Sequence, residues 1–247
     1  MNGGRGFAWR QILSESGLGR LFLSGDPTSL QMQAVLKHMI ADARRQNVWD
    51  TSLDMIRYAV FDTETTGLDP IRDHLLSIGC VEMIGNEIKD TQFETFIKVG
   101  DDILIPHDIT ELTGIHRYML KDAPPLNDAL RSFLSFLGDA VLVAHHARHD
   151  VRFLNKALHH CCNMKIEHRV LDTAVIAQVV YESERPWTLD MLIQHYKVKV
   201  TDRHTAIGDA RLLANVWQLL IKDCFLAGYD TIGSLLEQMV ISGNASS

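Results

Sequence analysis

Residues 58–61, Tyr-Ala-Val-Phe, form an apolar run of the kind that becomes a buried strand, and two carboxylates, Asp62 and Glu64, follow at once. In a strand, residues i and i+2 point to the same side, so these acids converge on one patch. The patch lies at the carboxyl end of the first strand, where open α/β sheets place their ligands. Two close carboxylates repel unless a cation sits between them or one takes a proton. Hard divalent cations such as Mg²⁺ prefer oxygen ligands of this kind. Taken alone, the pair also reads as a solvated loop end.

The rest of the chain supplies a sheet for that strand. Arg57–Thr63 is followed by a turn at "TGLDP"; residues 74–84 and 87–99 read as two further strands joined across Gly85-Asn86, a hairpin dipeptide. Leu126, Leu130, Phe133, Leu134 and Leu137 share one face of a helix over 126–137, and Gly138 ends it. "AVLVA" (140–144) is too short for a helix and too apolar for a surface, which makes it a central strand. Helices are expected near 150–162, 173–181, 188–196, 205–226 and 231–240. The fold class is therefore α/β, a mixed sheet with helices on both faces.

At 247 residues and 46% hydrophobic content, the chain can bury one sizeable core and carry a modest extension. We divide it into a helical N-terminal extension, 1–56, and a main domain, 57–247. In the extension, Asp26 as N-cap and Pro27 at the first helical position open a helix through Gln46, with an apolar stripe of Val35, Leu36, Met39 and Ile40. Residues 1–57 carry seven Lys/Arg against five Asp/Glu, a charge of +2 that leaves −9 for the remainder. This segment either packs on the main domain or serves as a docking or nucleic-acid arm. The net charge of −7 excludes a generically basic nucleic-acid binder, though not an enzyme whose acids surround metal ions. Four scattered cysteines without CxxC spacing fit a reducing cytoplasm. No apolar run reaches the about 18 residues of a membrane span. "GLGRLFLSGDP", broken by Arg20, argues against a cleaved signal peptide.

Two more acids join the first pair. The strand 140–144 ends in "HHARHD", which delivers Asp150 just past the strand into the first turn of a helix. Adjacent strand ends bring such a residue to face Asp62 and Glu64; in isolation it would be an acid favoured by a helix dipole. In "DRHTAIGDARLLANVWQLL" (202–220), His204 and Asp209 lie five positions apart, off a common helix face. They meet if His204 sits in the approach loop and Asp209 on the first turns of the helix. A neutral imidazole beside a carboxylate-bound metal can accept a proton from water; alone, it is a histidine near a helix start. Together, four carboxylates carry −4 and two divalent cations +4. Two metals about 4 Å apart activate a water and stabilise the leaving oxygen of a phosphoryl displacement.

"FDTETTGL", "HHARHDVRFL" and "HTAIGDA" resemble, in order and spacing, the three exonuclease motifs of the DEDD superfamily in its histidine-bearing branch, most of all the epsilon-type proofreading exonucleases. The resemblance covers about residues 57–222, and "IPHDITELTGIH" (105–116) is similar to the family's segment between the first two motifs. It implies a ribonuclease-H-like mixed five-stranded sheet flanked by helices. It implies Asp62, Glu64, Asp150 and Asp209 as ligands of two Mg²⁺ or Mn²⁺ ions, with Asp62 bridging, and His204 as general base. It implies that Thr65, Gly67 and Leu68 line the place of the terminal nucleotide, and that the activity is 3′→5′ release of nucleoside 5′-monophosphates. The second motif departs from the family's usual His-Asn-x-x-Phe-Asp: His145 matches, His146 replaces the Asn and His149 the Phe. Both put titratable rings beside the acids, and His149 is expected to contact the terminal nucleotide.

The expected substrates are single-stranded or frayed DNA 3′ ends, with RNA or short oligonucleotides as the alternative and a DNA polymerase as a candidate partner. A catalytically silent binding module is the reading from another class, and the five filled catalytic positions argue against it. The contiguous His159, His160, Cys161 and Cys162 diverge by about 100° per residue on a helix and make poor zinc geometry. "KVKV" (197–200), with Arg203, either touches backbone phosphates or forms an edge strand.

Overall fold

A strand that opens on the apolar run Tyr58–Phe61 needs cover on both faces, and the chain builds it from either side. The computed structural model describes Ala34, Leu36, Lys37, residues 48–183 and residues 187–245. Five strands, β1 (Arg57–Thr65), β2 (Leu75–Ile84), β3 (Glu87–Phe96), β4 (Val141–Ala144) and β5 (Val170–Asp172), form one sheet in the order β3-β2-β1-β4-β5. The β1/β2 and β2/β3 pairs are antiparallel; β1/β4 and β4/β5 are parallel. The helices are α1 (His107–Thr113), α2 (Arg117–Leu120), α3 (Leu126–Leu137), α4 (Arg148–Cys162), α5 (Thr173–Val180), α6 (Leu189–Tyr196), α7 (Ala206–Leu226) and α8 (Ile232–Ala245).

The period of two along β1 sorts its side chains into two cores. Ala59 and Phe61 enter one with Leu130, Phe133 and Leu137 of α3 and Phe153, Leu154 and Leu158 of α4. Tyr58 and Val60 enter the other with Leu213, Val216, Trp217 and Leu220 of α7, Ile176 of α5 and Leu192 of α6. Each fully buried large apolar side chain contributes roughly 1.5–3 kcal/mol, so these two layers carry most of the stability. Tyr58 meets Trp217 edge to face at 5.4 Å, and its hydroxyl donates to the Leu53 carbonyl at 2.8 Å. That bond gives a buried phenol a partner inside an apolar layer.

The strands read from sequence are present with shifted ends: β1 continues to Thr65, and β3 stops at Phe96 rather than residue 99. β5, at three residues, and the short α1 and α2 are additions. "KVKV" is no edge strand: Lys197 caps α6 at φ 55°, and residues 198–200 pair with no strand. Most of the helix expected over 26–46 lies outside the described residues; Ala34, Leu36 and Lys37 are helical, and Leu36 is fully buried against the α3/α4 layer. Val48, Leu53 and Ile56, assigned from sequence to the extension, pack into the α7 layer. A Ser52–Thr231 bridge joins this stretch to the start of α8. Among the described residues, no helix is long and apolar enough to cross a membrane.

Candidate active site

The alternation that sorts the core also sorts the acids. Asp62 and Glu64 fall on the side of Tyr58 and Val60, the face covered by α7, where Asp209 occupies the first turn. Carboxylate oxygens of Asp62, Glu64 and Asp209 all lie within 4.8 Å of one another. A close approach of backbones makes this meeting possible. Gly79 of β2 is the register partner of Asp62, and a Cβ there would sit 2.2 Å from the Ala206 carbonyl carbon and the Ile207 nitrogen. Only glycine lets the start of α7 rest on the sheet beside Asp62.

The approach to α7 is bent to suit. Asp202 and His204 both adopt left-handed backbone (φ 53° and 60°), and the Thr205 side chain caps the helix by accepting from Gly208 N at 3.1 Å. Left-handed backbone at a non-glycine residue is uncommon and, in a bulky residue, points to a site that needs it. Here the bend lets the His204 backbone N–H donate to Asp209 Oδ2 at 3.2 Å, so His204 sits in the approach loop and Asp209 on the helix.

Asp150 lies in the first turn of α4, outside the group of three acids within 4.8 Å of one another but near enough for its charge to raise Asp62 and Glu64. β4 stops pairing with β1 at Val60–Val143, so beyond that point β1 backbone facing β4 has no strand to bond. Asp150 Oδ1 takes up the Thr63 N–H at 3.1 Å and the Thr63 hydroxyl at 2.6 Å. Burial lifts its carboxyl to about 7 in spite of these donors. The Glu64 carboxyl is also lifted to about 7, first by burial and then by the charges of Asp209 and Asp150. Asp62 is raised well above the usual carboxylate range by burial and by Asp150, Glu64 and Asp209. Among the described residues, Arg203 answers them: it bonds Asp209 Oδ1 at 2.5 Å and, with its other nitrogen, Asp190 Oδ1 at 2.9 Å.

The residues expected around the nucleotide fall at the end of β1 (Thr65), in the loop after it (Gly67, Leu68), in the loop after β4 (His145) and on α4 (His149). Thr65 is buried and its hydroxyl donates to the Gly67 carbonyl at 2.6 Å, while Leu68 is 84% exposed at the loop tip. A Cβ at Gly67 would collide with the Asp73 carboxylate, whose Oδ2 accepts from Asp69 N to fold that loop. His145 Nδ1 lies 2.9 Å from the Thr173 hydroxyl, and burial, then His146 and Arg203, push its ring down to about 4. His146, left-handed at φ 53°, packs its ring against His145 at 4.4 Å. The His149 ring is half-buried, lowered in pKa by that burial, and rests 4.9 Å from Phe153.

The donor set suits hard divalent cations: clustered carboxylate oxygens, raised pKa values, and no hydrogen bond or ion pair on Glu64 among the described residues. By contrast, of the contiguous His159–Cys162 run, the cysteines are buried and the histidines exposed, as expected for neighbours that diverge on a helix. Sequence reasoning missed Thr63 and Gly79. Thr63 was legible, since the residue between two same-side acids must face the opposite layer. The Arg203 bridge and the contact at Gly79 leave no local signal.

A mixed sheet of this order, with acids at the end of its central strand, defines a domain of the ribonuclease-H-like nuclease class. A model of the RNase T exonuclease family matches residues 59–217, and the chain belongs to that family. It is 37% identical over 178 residues to the PolC-type DNA polymerase III of Caldanaerobacter subterraneus subsp. tengcongensis, covering 72% of this chain but 12% of that protein. It is 33% identical over 175 residues to the DNA polymerase III subunit epsilon of Rickettsia typhi, covering 68% of this chain and 75% of that one. The fold is shared with exonuclease I of E. coli in complex with a dT13 oligonucleotide (TM-score 0.58, 14% identity, 69% of this chain and 42% of that chain). It is shared too with exonuclease X in complex with 5′-overhanging duplex DNA (TM-score 0.56, 21% identity, 75% of this chain and 99% of that chain).

Proposed function

We propose that the chain is a metal-dependent 3′→5′ exonuclease that releases nucleoside 5′-monophosphates from single-stranded or frayed DNA ends. The observation that carries this is the convergence of Asp62, Glu64 and Asp209 within 4.8 Å, with Asp150 near enough for its charge to raise Asp62 and Glu64, in a chain of the exonuclease family. In this reading these four acids hold two Mg²⁺ or Mn²⁺ ions. Bound there, divalent cations lower the pKa of a water and neutralise charge on the phosphate. His204, tethered to Asp209 through its backbone, takes the proton of the attacking water. His145 is the wrong candidate: a ring held down to about 4 is too weak a base, and its Nδ1 is engaged by Thr173. Thr65, Gly67, Leu68, His145 and His149 enclose the terminal nucleotide, His149 by stacking or edge contact.

DNA is favoured over RNA by the names of the relatives, DNA polymerase III of the PolC type and its epsilon subunit. The same names make proofreading beside a DNA polymerase in the cytoplasm the natural setting. The test is hydrolysis of 3′-labelled single-stranded DNA, duplex DNA and RNA with Mn²⁺, repeated in EDTA and with Asp62→Ala and His204→Asn. We expect mononucleotide release from DNA that disappears in EDTA and in Asp62→Ala and falls sharply in His204→Asn. No release from any substrate, or an Asp62→Ala variant as active as the parent, overturns the reading.

A further inference from the structure

Beside the acid cluster lies a cavity of about 360 Å³ lined by Leu68, Pro70, His146, Arg148, His149, Arg152 and Asp172. Its inner wall is the candidate nucleotide site, Leu68 and His149. Its outer wall is a pair of arginines four residues apart on α4, whose Cβ atoms lie about 5–6 Å from one another by helix geometry. Both arginines are exposed, and among the described residues neither has a hydrogen-bond or ion-pair partner. Arg203, by comparison, is consumed by Asp209 and Asp190.

Helix geometry separates the roles of these residues. Arg148 and Arg152 each stand two positions from Asp150, about 200° around α4, and so turn away from the acids. The single acid in the cavity, Asp172, is already occupied: its carboxylate accepts from the backbone N–H groups of His146 (3.0 Å), Ala147 (2.9 Å) and Ala174 (3.0 Å). Its charge is thereby partly answered, and its function is to hold the His146 turn. The arginines are left facing open space in a protein of net charge −7, which otherwise repels a polyanion.

We propose that this cavity is a subsite for the strand upstream of the nucleotide being released, with Arg148 and Arg152 gripping backbone phosphates and Leu68, Pro70 and the His146 ring flanking a base. The assignment rests on the exonuclease reading, and on the cavity sharing Leu68 and His149 with the candidate site of the terminal nucleotide. Guanidinium forks grip phosphate through paired charge-assisted bonds without reading sequence. Arg148 and Arg152 are thus positioning residues for a single-stranded tail.

The test compares two substrates of unequal length: a ten-nucleotide oligothymidylate and the p-nitrophenyl ester of thymidine 5′-monophosphate, which has no upstream phosphate. For Arg148→Gln and Arg152→Gln, the ratio of kcat/KM for the oligonucleotide to that for the ester falls about tenfold each, mostly through KM, as expected for a lost charge-assisted phosphate contact. In the double variant the slope of log affinity against log salt becomes shallower by about 1.4, two single-strand contacts at about 0.7 each. Arg148→Lys retains the salt slope while losing part of the affinity. An unchanged ratio and slope in the double variant overturn the proposal. Parent protein that hydrolyses neither substrate would instead sink the exonuclease reading; anisotropy of the labelled oligonucleotide in EDTA then still reports whether the two arginines hold phosphate.

Discussion

Glu64→Gln should make the metal-free protein more stable, and the gain should grow with pH. The Glu64 carboxyl titrates near 7 in the folded protein against an ordinary 4.5, because burial and the charges of Asp209 and Asp150 disfavour its ionised form. Below pH 4.5 the side chain is protonated whether folded or not, and the substitution changes little. Between 4.5 and 7 the unfolded chain gives up its proton while the folded one keeps it, so each pH unit removes about 1.4 kcal/mol from folding. Above 7 the penalty is constant, at about 3 kcal/mol for a shift of this size. Gln has the same shape and no charge, and no hydrogen bond or ion pair among the described residues is lost with the carboxylate. In EDTA at pH 8 the variant should therefore melt about 6–12 °C above the parent, at about 2–4 °C per kcal/mol for a domain of this size. The two melting curves should coincide near pH 4.5. Excess Mn²⁺ should narrow or reverse the gap at pH 8, because an ion that binds only the folded parent adds about 2.7 kcal/mol at a hundred times its dissociation constant. The assay is thermal unfolding by circular dichroism across pH, with and without Mn²⁺. A pH-independent difference, or a less stable variant at pH 8 in EDTA, would refute the like-charge account of the cluster.

Two further substitutions probe what holds the acids in place. Gly79→Ala drives a methyl into the Ala206–Ile207 backbone and should destabilise the fold by about 3 kcal/mol while displacing Asp209, seen as a lower melting temperature with weakened Mn²⁺ binding in calorimetry. Wild-type Mn²⁺ affinity in that variant would show that α7 does not depend on the contact. Thr63→Val removes the hydroxyl that holds the Asp150 carboxyl down, so the acid limb of the hydrolysis pH profile should move up by about one unit, the worth of one charge-assisted bond. An unmoved limb would mean that Asp150 ionisation does not limit the reaction.

Most of the framework was legible because it rests on local periodicity. The β1 run, the Gly85-Asn86 hairpin, the apolar "AVLVA" segment and the stripe of α3 each carry their own signal, and each appears where it was read. β5 was not legible: Val170–Asp172 is too short for alternation to show, and it is a strand only because β4 offers an open edge. α1 and α2 span seven and four residues, below the length at which a helical stripe separates from chance. At the site, the acids and the loop position of His204 followed from strand ends and helix phase. What could not be read was how the Asp150 carboxylate would be held. Asp150 was expected to face Asp62 and Glu64; its charge reaches both, and its carboxylate is held by Thr63 because β4 ends early and leaves a backbone N–H to be satisfied.

The division of β1 into two faces has a further consequence for motion. Asp209 rides on α7 and Asp150 on α4, helices of the two opposite layers, with Asp62 and Glu64 on β1 between them, so the outer acids can loosen with their own layers. Transient opening of α4 would withdraw Asp150, along with both arginines, and leave the other three acids where they are. Amide exchange at Thr63, whose N–H points at Asp150, therefore counts how often the two halves part company.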